Sequence, residues 1–232
     1  MIDYHCHILW GMDDGPQAQA ESVAMARIAV ADGIKTVVAT PHLLKGYPVS
    51  PDLIVARTLQ LNRVLSVAGI PLSVYPGAEV SADPDILPML HRNELLTLPG
   101  AKQYLAIELA DYFPKVEVYW LLQELIAAGV SPIIVHPERN ILIQRQPEIL
   151  AKMTGLGANV QVTAMSITGE FGRPARAASR LFLERGWVQM IASDGHSAQE
   201  RPPVLSRAVA EATRIVGRTA AQEMVSDRFL NC

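Results

Sequence analysis

The chain has 232 residues, half of them hydrophobic, and a formal net charge of −3. That length suits one large domain over residues 1–232, and the near-neutral charge excludes broad electrostatic binding to nucleic acid or an anionic membrane. Two cysteines, Cys6 and Cys232, exclude a disulfide framework and suit a reducing cytoplasm; no apolar run approaches the roughly 20 residues that span a bilayer, and Met1 leads into a strand rather than a signal peptide.

Met1–Cys6 is short, apolar and β-prone, and reads as a buried strand. From Ala20 to Asp32 a helical stretch follows, with Val23, Ala26 and Val30 on one face and Gly33 to close it. Thereafter one pattern recurs: a helix ends near a Gly, and a run of four to seven apolar or β-branched residues ends in a polar one. Its instances are DGIKTVVATPH from Asp32, AGIPLSVYPGAE from Ala68, PGAKQYLAIE from Pro99, AGVSPIIVHPER from Ala128, LGANVQVTA from Leu156 and RGWVQMIASDGH from Arg185. Between them lie helical stretches: Pro51–Ala68, with Ile54, Leu61 and Leu65 on one face; Pro84–Arg92; Val116–Ala128, apolar almost all round and expected to be well buried; Arg176–Arg185; and Pro203–Val216, expected to open with Pro at its first position. Strands alternating with helices predict parallel βαβ units in an α/β domain. Seven units favour a closed or nearly closed barrel, with an open doubly wound sheet as the alternative.

The chemistry gathers at the ends of these strands. His5 and His7, two apart on a strand, point to one face and reach one point in space. Asp13 and Asp14 follow in a turn ending Gly15-Pro16, and either carboxylate can reach that point. Later strands end in His42, Glu79, Glu108, His136, and Asp194 with His196, whereas the sixth, ending near Thr163, offers no ligand. Five of the six histidines occupy these ends; His91, in a helical stretch, reads as a surface residue. In a parallel barrel such ends meet at one face, where active sites sit. Four carboxylates and five imidazoles converging there demand cations. Nitrogen and oxygen donors without thiolate suit manganese, iron or zinc better than calcium or magnesium, and nine donors are too many for one ion, so two or three divalent ions are expected. Cys6 lies between two inward histidines and turns away from them; Met12 stands where a thiol phosphatase would place its Arg. Tyr47, Tyr112 and Phe113 fall in loops at the same face, as packing or lid residues. Arg139 and Arg201 follow His136 and His196 by three and five residues. Arginines beside several metal ions point to an anionic substrate, most simply a phosphate, the alternative being a salt bridge to a ligand carboxylate.

Taken together, H-x-H with DDGP in Met1–Pro16, then Ala39–His42, Pro76–Glu79, Ile107–Glu108, HPER in Val135–Arg139 and SDGHSAQERPP in Ser193–Pro203 resemble the polymerase-and-histidinol-phosphatase (PHP) superfamily. Within it the chain resembles the bacterial metal-dependent protein-tyrosine phosphatases of capsule and exopolysaccharide systems, over essentially its whole length. The resemblance implies a distorted (β/α)7 barrel with three metal ions, manganese foremost. His5, His7, Glu79 and Asp194 would hold the first; a bridging Glu79 with Glu108 and His136 the second; Asp14, His42 and His196 the third. Arg139 and Arg201 would grip the phosphate. Two of the ions would acidify a bridging water for in-line attack on phosphorus. The implied partner is the phosphotyrosine-bearing tail of a membrane-associated autokinase, met in the cytoplasm with no insertion into the membrane. A small-molecule phosphatase of the histidinol-phosphatase kind is the rival enzyme, and an idle scaffold in a kinase complex the rival of another class. Lys45–Ser50 and Asp111–Glu117 are loops where relatives differ.

Overall fold

The computed structural model describes residues 1–43, 46–47, 49–100 and 102–230. Cys232 and parts of the Lys45–Ser50 loop, Lys45 and Pro48 among them, lie outside the described residues. Among the described residues nine strands run in chain order: β1 Ile2–Cys6, β2 Thr36–Ala39, β3 His42–Leu43, β4 Ser73–Pro76, β5 Glu79–Ser81, β6 Tyr104–Glu108, β7 Ser131–Val135, β8 Asn159–Thr163 and β9 Met190–Ala192. Every pairing between them is parallel, in one sheet ordered β1-β2-β4 and another ordered β3-β5-β6-β7-β8-β9.

The nine are the seven expected strands with two interruptions. Thr40 and Pro41 separate β2 from β3, and Gly77 and Ala78 separate β4 from β5. The partners stay in step across both gaps, Ala39 with Pro76 below and His42 with Glu79 above. Pro41 has no N–H to give a ladder. At Gly77 a Cβ would lie 2.8 Å from Val38 Cγ1, so only glycine lets the two strands approach there. The ends of the series then meet: Asp194 N donates to His5 O and His7 N to Gly195 O, both at 2.8 Å. Below this seam a plug from residues 224–230 enters. Ile2 N donates to Val225 O and Ile191 N to Met224 O, while Phe229 packs edge-on against Tyr4 and Tyr104.

Among the described residues ten α-helices connect or follow the strands: α1 Gln19–Ala31, α2 Pro51–Val67, α3 Ile86–His91, α4 Lys115–Ala127, α5 Ile141–Arg145, α6 Glu148–Gly155, α7 Ala164–Thr168, α8 Gly172–Glu184, α9 Ser206–Val216 and α10 Arg218–Glu223. None of these is long and apolar enough to cross a membrane. In α1 the expected face meets the core: Ala26 is buried with Ser22, Met25 and Ala29, and Val23 and Val30 pack against them half-buried. Two expectations are corrected. Helix α4 buries only Val118, Leu121, Leu122 and Leu125, leaving Val116 80% and Trp120 52% exposed, because it covers the sheet with one face alone. Finally, α9 begins at Ser206 rather than Pro203. Asp32 Oδ2 caps the later start by accepting from Leu205 N and Ser206 N at 2.7 and 2.9 Å.

The larger apolar core lies between strands and helices, and a smaller one fills the interior of the ring with Tyr4, Val38, Tyr104, Ala106, Ile133, Val135 and Met190. The β1–β2 register shifts between Asp3 and Cys6. This irregularity re-aims the strand: Tyr4 belongs to the inner core, Cys6 to the outer one, and His5 enters the site above.

Candidate metal centre

The DDGP turn builds one wall. A Cβ on Gly15 would collide with the carbonyl oxygen of His7, so the turn lies directly on the strand end. Asp13 Oδ1 accepts from Gly15 N, and its Oδ2 sits 2.6 Å from His7 Nδ1 while accepting from His42 N at 2.9 Å. Asp13 is therefore spent on orientation. Asp14 is the carboxylate that faces the other donors, 3.4 Å from His196 Nε2 and 3.6 Å from His42 Nε2. The turn conformation thus decides which acid reaches the centre.

All nine donors expected from the strand ends come together. Ligand atoms of His7, Asp14, His42 and His196 lie within 4.8 Å of one another, as do those of His5, Glu79 and His136, of His5, His7 and Asp194, and of His42, Glu79 and Glu108. These sets share members and form one continuous centre. Three imidazoles use Nδ1 outward: His5 toward Gln161 Oε1 at 3.0 Å, His7 toward Asp13, and His196 toward the carbonyl of Asp194 at 2.9 Å. Donating from Nδ1 leaves each Nε2 lone pair aimed inward. His5 Nε2 and His7 Nε2 are 3.2 Å apart. Two of these candidate donors, His136 at φ 36° and Asp194 at φ 52°, hold left-handed backbone, a strain of about 1–3 kcal/mol each that clusters at functional sites.

Electrostatics favours a cation here. Glu79 is buried, and burial alone would raise its pKa; His5, His136 and His42 outweigh this and hold it well below the usual carboxylate range. Its Oε1 is 2.8 Å from His136 Nε2. Its Oε2, 2.8 Å from His42 Nδ1, is out of alignment and has no hydrogen bond. Burial also opposes charge on His7, yet Asp13 and Glu79 raise its pKa to about 10. For Asp194 burial is again overcome, by His5, His136 and Arg201, and the pKa falls. The carboxylates need positive charge, which imidazolium or a divalent cation can supply. A buried carboxylate oxygen without a hydrogen bond, ringed by Nε2 lone pairs, fits a divalent metal ion.

Cys6 takes no part. It is buried, its Sγ lies 3.5 Å from Gly195 O, and burial followed by the charge of Asp3 pushes its pKa well above the ordinary thiol value. His91 is exposed, as expected. Of the three loop aromatics, Tyr47 stacks on His42 at 5.9 Å, Phe113 is buried and Tyr112 is 71% exposed.

Arg139 Nη1 and Arg201 Nη2 both converge on Asp194 Oδ2, at 2.5 and 2.6 Å. Under both guanidinium groups lies the ring of Phe171, 4.7 Å from Arg139 Cζ and 5.6 Å from Arg201 Cζ. In HPER the acid is structural: Glu138 is buried, and its Oε1 accepts from Thr163 N and Ser166 Oγ, tying the turn that carries Arg139 to the end of β8. Sequence reasoning missed Asp13, Gln161 and Phe171 as supports of the site. Beside the centre opens a cavity of about 570 Å³ lined by Glu108, His136, Arg139 and Asn140 among others.

The family model for capsular polysaccharide synthesis, CpsB/CapC, matches residues 1–229. The chain belongs to the CpsB/CapC family. It is 39% identical over 203 residues to the tyrosine-protein phosphatase YwqE of Bacillus subtilis, covering 87% of this chain and 79% of that one. A structure from the study of YwqE and of CpsB from Streptococcus pneumoniae, described as unique metal-dependent tyrosine phosphatases, superposes with a TM-score of 0.93 at 34% identity, over 99% of this chain and 94% of the other. The histidinol phosphate phosphatase of Lactococcus lactis superposes with a TM-score of 0.61 at 13% identity, over 94% and 93%, and shows the shared PHP-type fold alone. The expected parallel α/β architecture and family are thus borne out.

Proposed function

We propose that this chain, as one domain over residues 1–232, is a metal-dependent protein-tyrosine phosphatase. The observation that carries the reading is the convergence of nine metal donors and two arginines on one centre, in a chain of the CpsB/CapC family. His5, His7, Glu79 and Asp194 would hold one ion, Glu79, Glu108 and His136 a second, and Asp14, His42 and His196 a third, with manganese the first choice and iron or zinc the others. When bound, the ions supply Lewis acidity and the activation of water. Asp13, Gln161 and the Asp194 carbonyl fix the tautomers of His7, His5 and His196, so that Nε2 stays available. Arg139 and Arg201 present planar forks that match two phosphoryl oxygens and offset the charge gathering there in the transition state. A tyrosine phenol, with a pKa near 10, leaves as phenolate more readily than an alkyl alcohol. The substrate we assign is the phosphotyrosine tail of a membrane-associated bacterial kinase, met in the cytoplasm.

The test compares a phosphotyrosine peptide with histidinol phosphate on manganese-loaded protein, with elemental analysis of the same preparation. Two to three ions per chain and preferred turnover of the peptide are expected. A single ion, or preference for histidinol phosphate, overturns the assignment.

A further inference from the structure

Of the eight large hydrophobic side chains exposed among the described residues, Ile141 on α5 lines the cavity beside the metal donors, and Tyr112, Val116 and Trp120 lie on the β6–α4 connection and α4. The catalytic cavity does not end at the metal donors. Its wall at Ala82 is shared with a second hollow of about 150 Å³, lined by Ala82, Pro84, Phe113, Val118, Trp120 and Leu121. Ala82 N donates to Glu108 O at 2.8 Å, which fixes that shared wall to the strand carrying a metal donor. The charged residues lining the hollow are Asp83 and Glu117, both acidic, and Asp111 lines the cavity beside it. Arg139 lines the same cavity. The site is therefore polarised, with cationic groups where a phosphoryl group would sit and an apolar floor with acidic edges a short way off.

Resting on the phosphatase reading, we infer that this hollow is the substrate's specificity groove. It receives an apolar side chain flanking the phosphotyrosine, and Glu117 and Asp83 face a lysine or arginine of the same segment. Continuity with the cavity favours a stretch of the substrate peptide over a second copy of this chain, because the segment that delivers the phosphoester must leave the cavity along a wall. The acidic edge selects against a second acidic residue next to the phosphotyrosine.

The experiment uses the full chain loaded with manganese. Its substrates are p-nitrophenyl phosphate and three phosphotyrosine peptides: one with a flanking Leu and Lys, one with Ser for Leu, and one with Glu for Lys. For the wild type, the Ser peptide should show a KM about tenfold higher than the parent, the scale of burying a Leu-sized side chain in part, and the Glu peptide a KM about threefold higher, the scale of an exposed charge pair. Trp120→Ser should bring the Leu and Ser peptides together, and Glu117→Gln should narrow the Lys–Glu difference. Hydrolysis of p-nitrophenyl phosphate should not change, since these side chains do not line the cavity beside the metal donors. Wild-type protein that does not discriminate, or variants that keep its discrimination, would overturn the inference. So would variants that slow the small ester in proportion and alter sedimentation, which would give the groove to a second copy. No turnover of any ester by metal-loaded protein would instead bring down the phosphatase reading, and the groove with it.

Discussion

Arg139→Ala separates two roles that the geometry joins. Arg139 contacts Asp194 Oδ2 at 2.5 Å, and Arg201 contacts the same oxygen at 2.6 Å. Removing Arg139 leaves the buried Asp194 carboxylate with Arg201 as its partner. The Arg139 side chain is one-third exposed, so solvent screens the lost pair, and its contribution to stability is about 1 kcal/mol rather than the several that a fully buried charge would forfeit. For a chain this size that lowers Tm by about 2–4 °C. The effect on turnover should be larger. A donor that meets charge only as it develops on the phosphoryl oxygens contributes on the order of 3 kcal/mol, or about a hundredfold in kcat, with some reduction for exposure. Arg139→Lys should recover the charge and part of the rate, because the fork is lost. The assay measures metal content, Tm and kcat on one preparation of wild type, Arg139→Ala and Arg201→Ala. A hundredfold loss of kcat with full metal and a small fall in Tm is expected. Metal lost in step with activity would refute the reasoning and make the arginines props for Asp194.

Three further outcomes follow from the surroundings of the site. Phe171→Ala should lower kcat about tenfold, the scale of two cation–π contacts at about 0.5–1 kcal/mol each, with Phe171→Tyr retaining activity and Phe171→Leu not; equal rescue by Leu would reduce Phe171 to packing. Asp13→Asn should weaken metal affinity 10–100-fold by freeing His7 Nδ1, with Asp14 still in place; unchanged affinity in a metal titration would remove Asp13 from the site's support. Asp3 titrates in the pH range of ordinary use: burial raises its pKa from 3.8 to about 6, despite hydrogen bonds from Ser193. Because the folded pKa is raised, its stabilisation is present below pH 4 and is lost as pH rises through 6. Chelated wild type should lose roughly 3 kcal/mol relative to Asp3→Asn between pH 4 and 7, and parallel denaturation curves would contradict this.

The candidate site was legible because its donors gather where strands end or are interrupted: His5 and His7 at the end of β1, His42 and Glu79 just past the breaks before β3 and β5, Glu108 at the end of β6, His136 after β7, and Asp194 and His196 after β9. A parallel ring brings such ends together whatever the helices do, so His5, Glu79, Glu108 and Asp194 could be read without any tertiary information. The choice between Asp13 and Asp14 could not be, since both lie in one turn and its dihedral angles decide which acid points inward. Gln161 stands inside a strand, two residues before the end that offers no ligand, and its amide matters only because His5 faces it from the far side of the sequence. Phe171 follows that same strand in the stretch Thr168–Arg173, and an aromatic in a loop above a strand lacking a ligand was the available signal. Helix α4 misled because composition cannot tell a buried face from an exposed one that is also apolar. Val116 and Trp120 are four apart and share a face, and it is the outer one.

The plug at the foot of the ring has a consequence for timing. Tyr4 donates to the carbonyl of Ser226, 222 positions away, and the seam above joins His5 and His7 to Asp194 and Gly195. Strands β6 to β8 can pair as they emerge, but the free edge of β1 waits for the far end of the chain. At about 5–20 residues per second, a ribosome needs roughly 10–40 s to pass from His7 to His196. Throughout that interval the early histidines are a partial set, paired with neither Asp194 nor His196. For the proposed metal centre, cation capture at full affinity is then a late event in biogenesis, and a truncated product is a poor competitor for the cell's metal.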